Sequence, residues 1–362
     1  MKFSAHGSKV SRGIASAVGA LLMATGARAA DSVLVAWGFN DLGQCTAPRE
    51  LGAVNQIAAG EGFTAALRAD GTVRCWGRNY ENQCSPPTWL TDAVEISTGH
   101  YHVIVLRGDG SIACWGYNSH GQATVPTRLG TVRAIGAGYQ HTIVVKASGE
   151  IYCWGQNVYG QCDVPPGLSA GAAVDGGAEH SIALLQDGTV RCWGDHSFGQ
   201  CPSPPGLTGV VQVSAGANFN IALRDSGAIA CWGHNSDGQC VAPSSASGAV
   251  AVAAGESHAI ALLADGTVVG WGRDTDGQAR PPQGLATALG IAVGGSHSIA
   301  LAALPPCPAD IFVDGQVNGA DLGIVLSQWG QGGGVAGDIN RDGIVNGADL
   351  AAVLGTWGPC GI

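Results

Sequence analysis

Apolar and polar positions along residues 32–304 alternate on a short, regular rhythm. Residues 173–205 show one period of it. An apolar pair, Ala173-Val174, predicts a first strand, and the apolar run 181–185 predicts a second. Asp187-Gly188 reads as a hairpin turn, and 189–193 alternates in the manner of a half-buried third strand ending at Trp193. A Gly- and Gln-containing loop follows, then a short fourth strand stopped by Pro204-Pro205. Four short strands in one period is the pattern of a propeller blade.

The period is constant. Trp37, Trp76, Trp115, Trp154, Trp193, Trp232 and Trp271 are each followed by Gly and stand 39 residues apart. Gly60, Gly99, Gly138, Gly177, Gly216, Gly255 and Gly294 keep the same step. A fixed period of this length marks a repeat architecture. The chain enters the pattern at Ser32 with the Trp-Gly half of a repeat and leaves it near Leu304 after the other half. The two halves make one blade, so the fold expected is an all-β, seven-bladed propeller over 30–304, closed by its N- and C-terminal strands. Closure removes the exposed edges an open array would carry.

Composition agrees: 58 Gly and 12% charged residues suit many tight turns rather than disorder. Residues 1–29 read as a signal peptide, with Lys2, Lys9 and Arg12 before the apolar run 14–24 and Ala27-Arg28-Ala29 as a cleavage site. That run is too short to span a membrane. Without it, 13 basic residues face 27 acidic ones, a charge near −14. An acidic chain of this kind is a poor partner for nucleic acid. The expectation is a secreted protein, extracellular or at the cell surface, in which 12 Cys can form disulfides. The spacing C-W-G-x-N-x-x-G-Q-C favours pairs within a repeat: Cys75/Cys84, Cys153/Cys162, Cys192/Cys201 and Cys231/Cys240. An inter-blade scheme (Cys45/Cys75, Cys84/Cys114, Cys162/Cys192, Cys201/Cys231) satisfies as many residues, and zinc ligation is the third reading.

The motifs G-x-x-H-(S/T)-x-A-L, D-G and W-G-x-N-x-x-G-Q, as in 138–161, resemble the RCC1-like repeat family over roughly 32–304. With a secretion signal the chain is most similar to the secreted bacterial branch, which includes the β-lactamase inhibitory protein II type. The nucleotide exchange of nuclear members conflicts with that signal. His102, His141, His180, His258 and His297 share one slot, which Phe63 and Phe219 fill in the other two blades; packing with a local hydrogen bond explains it better than a metal ring. The tryptophans read as core, and Asn40, Asn79, Asn118, Asn157 and Asn235 as turn-fixing residues. The loops after the second Gly series and after Trp-Gly should share one face. They carry Phe39, Tyr80, Tyr101, Tyr117, Tyr139, Tyr159 and Phe198, the expected binding residues.

Beyond the stiff segment 304–308 lie two related segments, 28 residues apart. The second places Asp338, Asn340, Asp342, the Ile344 carbonyl, Asn346 and Asp349 at the spacing of a Ca²⁺ loop, with Gly343 at the sharp turn. The first offers Asp310, Asp314, the Gln316 carbonyl, Asn318 and Asp321, but Phe312 replaces a ligand, so this site should be weaker. Each loop leads into an expected helix with apolar Leu322, Val325, Leu326, Trp329 or Leu350, Val353, Leu354, Trp357. Over 307–362 this resembles a type I dockerin, and Cys307 and Cys360 could clasp its ends. The resemblance implies Ca²⁺ and a cohesin-like partner. The recognition positions hold Gly319-Ala320 and Gly347-Ala348 in place of the usual hydroxyl pair. The domain organisation expected is therefore 1–29 signal peptide, 30–304 propeller, 305–362 dockerin-like module. No nucleophile–base motif or phosphate loop is present in the sequence. The function expected is a non-enzymatic scaffold binding an extracellular protein or glycan; the alternatives are an enzyme inhibitor or a component of extracellular polysaccharide degradation.

Overall fold

The computed structural model describes residues 32–48, 51–283, 285, 287–303, 309–311, 316–331, 337–340 and 344–359. The expected leader, the boundary at 304–308, Asp314, Asp342 and the Cys307/Cys360 clasp lie outside them. Strand β1 (Ser32–Gly38) precedes six blades of three antiparallel strands. They are β2 (Val54–Ala59), β3 (Phe63–Arg68) and β4 (Val73–Gly77); β5 (Ala93–Thr98), β6 (His102–Arg107) and β7 (Ile112–Gly116); β8 (Val132–Ala137), β9 (His141–Lys146) and β10 (Ile151–Gly155); β11 (Gly171–Gly176), β12 (His180–Leu185) and β13 (Val190–Gly194); β14 (Val210–Ala215), β15 (Phe219–Arg224) and β16 (Ile229–Gly233); β17 (Ala249–Ala254), β18 (His258–Leu263) and β19 (Val268–Gly272). The seventh sheet joins the ends: β20 (Ala288–Val293) and β21 (His297–Ala303) pair with β1 in the order β1-β21-β20. Trp37 lies opposite Ser298, the register Trp76 keeps with Thr64. The ring closes as expected.

Among the described residues no blade has the expected fourth strand. After Gly-Gln the chain makes a turn and no ladder, because Pro86-Pro87, Pro126, Pro165-Pro166, Pro204-Pro205 and Pro243 lack the N–H a strand must donate. These prolines start turns instead. The N–H groups of Leu90, Leu129, Leu168 and Leu207 donate to proline carbonyls, and Leu90, Leu129 and Leu207 are buried at the edge of the core.

The core lies between blades. Each of seven apolar clusters takes residues from two neighbouring sheets, and the closing blade contributes to two of them. Polar joints add direction to this packing. The indole N–H of Trp76 donates to the main-chain carbonyl of Gln44 at 3.0 Å, and Trp115, Trp193, Trp232 and Trp271 repeat the bond to Gln83, Gln161, Gln200 and Gln239. Trp37 completes it across the closure, to Gln278. Trp154 is the exception, and its N–H has no partner. Each glutamine side chain is buried and accepts the main-chain N–H two residues before it, which holds the loop and aims the carbonyl.

The histidine slot belongs to the same joint. His102, His141, His180, His258 and His297 are fully buried, and each Nε2 meets a polar side chain of the next blade, Thr142, Ser181, Asn220, Ser298 or Thr64, at 2.9–3.0 Å. Those side chains already donate to the carbonyls of Gln122, Gln161, Gln200, Gln278 and Gln44. They must therefore accept from histidine, which places the proton on Nε2. Where the slot holds Phe63 or Phe219, the facing residue is apolar, Val103 or Ala259. The repeated Gly makes room for the ring: a Cβ on Gly138 would stand 2.0 Å from His141 Cε1.

Near the channel the inner strands are laced by side chains. Gln56 exchanges two hydrogen bonds with the backbone of Ile96, and Gln212 does so with Val252. Asp175 accepts from the Ala215 N–H at 2.9 Å.

Trp37→Ala should destabilise the chain by about 3–5 kcal/mol, as Trp193→Ala should. In an open array Trp37 would sit on a terminal strand and cost far less; denaturant unfolding of the two variants separates these outcomes. A second expectation concerns pH. Burial pushes His102, His180 and His258 down to about 4, and His141 and His297 to about 3. A depressed histidine contributes stability that is full above the unfolded value near 6.5 and is lost as pH falls through the folded value. Asp175, pushed up to about 8 by burial, acts in the opposite sense and weakens the fold as pH rises through that range. Replacing His141 by Phe and Ser181 by Val, in imitation of Phe63 and Val103, should isolate one histidine and flatten the fall in Tm between pH 6.5 and 4. An unchanged slope contradicts the assignment.

Candidate functional site

In every blade the loop after the repeated Gly and the loop after Trp-Gly lie side by side. Phe63 pairs with Gly77, so both loops leave the sheet at one end. A backbone bond ties them: Arg78 N–H to Gly62 O at 2.8 Å, Tyr117 N–H to Tyr101 O at 2.9 Å, and the same link in the other five blades. The shared face expected from the sequence is present.

The residue just after each repeated Gly stands at the mouth of the central channel. Around the ring these are Glu61, His100, Tyr139, Ala217, Glu256 and Gly295, with Ala178 tied to Ala217 by a backbone hydrogen bond. One side of the mouth is thus polar and the other lined by small residues. Mouth and channel form one cavity of about 80 Å³, whose remaining wall is mostly alanine and glycine with Thr98, Asp175 and Ser214. His100 Nε2 lies 3.5 Å from Glu256 Oε1 and 3.8 Å from Glu61 Oε2. The Tyr139 hydroxyl donates to Glu256 Oε1 at 3.0 Å, and its ring stacks on His100 with centroids 4.2 Å apart. Burial, then the neighbouring Glu256 charge, raises the Glu61 carboxyl above its ordinary value. The facing His100 imidazole, then the hydrogen bond from Tyr139, lowers that of Glu256. Of the two acids, Glu61 is the one that takes up a proton first. Burial also raises the Tyr139 phenol well above its usual range, so it stays a donor.

An aromatic chain continues outward from this cluster. Tyr101 packs on His100 at 4.2 Å and meets Tyr117 edge-on at 6.3 Å. The Arg78 guanidinium lies 4.3 Å over Tyr101 and 4.8 Å over Tyr80, and is held by two hydrogen bonds to Glu81. Cationic and aromatic groups fixed in this way form a preorganised contact surface.

Comparison with known proteins identifies the repeat. The model for the regulator of chromosome condensation (RCC1) repeat matches residues 54–83, 93–122, 132–161, 172–200, 210–239 and 249–278. The chain carries six RCC1 repeats. Its propeller is similar to Prp20p from Saccharomyces cerevisiae, with 16% identity, 76% of this chain and 92% of that one covered, and a TM-score of 0.65. In the complex of yeast RCC1 (Prp20) with Kap60 the match covers 84% and 97% at 16% identity, with a TM-score of 0.66. Human WBSCR16 matches at 18% identity over 75% and 100%, with a TM-score of 0.62. At these identities the likeness concerns the fold. No curated protein matches.

The RCC1 propeller gathers some of the expected binding residues and separates others. Tyr80, Tyr101, Tyr117 and Tyr139 belong to the chain of contacts around Arg78 and His100. Phe39, Tyr159 and Phe198 are not among the rings and cation that make it up. Tyr159 is 56% exposed, and Phe198 instead meets His234 edge-on at 4.9 Å. Glu61, His100, Glu256 and Arg78 were not foreseen. The available signal was the column of residues that follow the repeated Gly, which turns from Ala178 and Ala217 to charged and aromatic types elsewhere.

Three of the four within-repeat disulfides are present: Cys153–Cys162, Cys192–Cys201 and Cys231–Cys240. They exclude the inter-blade scheme. Cys75 and Cys84 are free thiols, with Cys84 Sγ donating to the Arg78 carbonyl at 3.1 Å, and Cys45 and Cys114 are also free. The expected turn role of asparagine holds: Asn79, Asn157 and Asn235 accept the N–H of the cysteine five residues on at 2.8 Å.

The C-terminal segments form α1 (Gly319–Ser327) and α2 (Gly347–Gly355), tied by the short pair β22 (Gln316–Val317) and β23 (Gly358–Pro359). Both helices begin with a capping box, Asn318 with Asp321 and Asn346 with Asp349. Asp321 and Asp349 are fully buried, and Asp310 and Asp338 nearly so. Asp349 also accepts the N–H groups of Ile339 and Asn340 at 2.7 and 3.1 Å, which folds the loop back on its own helix. Val325 and Val353 are buried against Val317 and Val345, as the helical spacing predicts. Leu326, Trp329, Leu354 and Trp357 are exposed, and so do not complete the expected core.

Proposed function

We propose that the chain is a secreted, non-enzymatic binding scaffold. Its propeller face takes a protein partner, and its C-terminal module is a Ca²⁺-stabilised, dockerin-like docking unit. The observation that carries the reading is the surface running from Tyr80 through Arg78 and Tyr101 to His100 and Tyr139. It lies where the repeat departs from its own pattern. Tyrosine and arginine are the residue types that anchor protein interfaces, and these are already held in place by Glu81 and by one another. Yeast Prp20p, similar in fold, is described by its binding to Gsp1p and histones, which supports a protein partner for this face. Three disulfides fit an oxidising compartment.

For the C-terminal module, Asp338, Asn340, Asn346, Asp349 and the Ile344 carbonyl make an all-oxygen donor set. Two carboxylates buried beside a short helix are what a hard cation would neutralise. The ion would fix the loop against α2, and Asp310, Asn318 and Asp321 would serve the weaker loop. Each helix with the turn after it leaves the same apolar pair exposed, Leu326 with Trp329 and Leu354 with Trp357. Exposed apolar side chains duplicated in this way suit a docking partner such as a cohesin-like domain.

Affinity capture from the medium of the producing cells, with and without Ca²⁺, supplies the partner for the test. Replacing Arg78 and Tyr101 together by Ala should weaken its binding at least tenfold, on the order of 1.4 kcal/mol or more. Tyr159→Ala should leave binding within about twofold, and neither change should move the Tm of the propeller. Unchanged binding by the Arg78/Tyr101 variant rejects this face. In calorimetric titration the full chain should take up Ca²⁺ in a tight and a weak step, and Asp342→Asn should remove the tight one. A chain that takes up no Ca²⁺ contradicts the module's role.

A further inference from the structure

The mouth of the channel holds a donor set that the scaffold reading does not use. We propose that Glu61, His100 and Glu256 bind a divalent transition-metal ion of the Zn²⁺ type.

Geometry comes first. Glu61, His100 and Glu256 offer ligand atoms that all lie within 4.8 Å of one another. Metal–ligand bonds of about 2.0–2.2 Å put the edges of a tetrahedral zinc site near 3.4 Å. The two edges from His100 Nε2, at 3.5 and 3.8 Å, are close to that value. Only the edge between the carboxylates has to contract, a movement within reach of glutamate side-chain rotation.

Two of the three ligand atoms have no hydrogen bond, while Glu256 Oε1 accepts from Tyr139. His100 Nε2 and Glu61 Oε2 are shielded from water and complete no hydrogen bond. Buried polar atoms are normally paired, and two unpaired ones facing each other across a gap of this size mark a place for an ion. Two carboxylates brought to one imidazole repel each other until a cation joins them.

The surroundings hold the ligands in place. Tyr139 stacks on His100 and donates to Glu256 Oε1, so one residue orients two of the three ligands. The Glu61 N–H donates to the His100 carbonyl at 2.9 Å, fixing the third to the second. Gly295 supplies the room. A Cβ there would stand 1.6 Å from Glu61 Oε2, so the carboxylate occupies the space a side chain would take.

An imidazole with two carboxylates favours zinc and its neighbours over Ca²⁺ or Mg²⁺, which need more oxygen donors than this site has. Three protein ligands leave a coordination position open toward the channel or the bound partner.

The test uses the full chain without an affinity tag, stripped of metal and kept saturated with Ca²⁺ so that the C-terminal loops do not compete. Zn²⁺ is titrated against a chromophoric chelator. Wild type should bind one Zn²⁺ that is lost, or weakened at least tenfold, in His100→Gln. Gly295→Ala keeps all three ligands but displaces the Glu61 carboxylate, and should weaken binding as much with the Tm unchanged. Cys75→Ser with Cys84→Ser should leave that ion in place, and Co²⁺ in the site should give no thiolate charge-transfer band. Zn²⁺ binding that survives both His100→Gln and Gly295→Ala, or that disappears with the cysteines, overturns the proposal, as does a wild-type chain that binds none.

Discussion

At four joints the indole N–H of tryptophan and the hydroxyl or amide of the middle strand meet at one main-chain carbonyl, that of the glutamine in the preceding blade's Gly-Gln loop. At Gln83, Gln122 and Gln239 one of the two donors is present. Gln161 shows the whole joint: its carbonyl accepts from Trp193 at 2.9 Å and from Ser181 at 2.8 Å, and Ser181 in turn receives the proton of His141. Apolar packing between sheets has no direction, and sheets packed by it alone could slide. A buried carbonyl with two lone pairs accepts only donors in the right place and is costly to leave unmet. That requirement sets the rotation of each blade on the next. The step therefore repeats, and the last blade is completed by the first strand.

A rigid ring has a consequence for chemistry. The residues after the repeated Gly are brought to one small circle however far apart they stand in the chain. Glu256 and Glu61 lie on opposite sides of the closing blade, and Gly295 between them removes the side chain that would keep them apart. The channel mouth is thus a product of closure. Its polar half owes its position to the joints and its composition to positions the joints leave free.

How much of this was legible in the sequence follows the same division. Trp37 to Trp271, the histidine slot and the matching half-repeats at each end were legible because every copy satisfies one packing requirement. The missing fourth strand was misread: the short stretch from Cys201 to Ser203 after the Gly-Gln loop reads as extended pairing backbone, but Pro202, Pro204 and Pro205 cannot donate. Phe39, Tyr159 and Phe198 were grouped with Tyr101 and Tyr139 because all sit in loops. Position within the loop decides the outcome, since residues next to the repeated Gly face the channel while Tyr159 and Phe198 come later in the longer loop. Arg78 carried no signal of its own; its place over Tyr80 and Tyr101 depends on the backbone tie to Gly62. In the C-terminal module, ligand spacing and helix capping use the same residues, Asn318 with Asp321 and Asn346 with Asp349, so the motif predicted both the loops and the helices.

Recognition is proposed on one face of the closed scaffold. Amide hydrogen exchange of the full chain with and without its captured partner tests that placement most directly. Protection should appear in the loops at 61–62, 78–82, 100–101 and 139–140, with the strands between them unchanged. Protection confined to the opposite rim, around Trp89 and Tyr152, would contradict it.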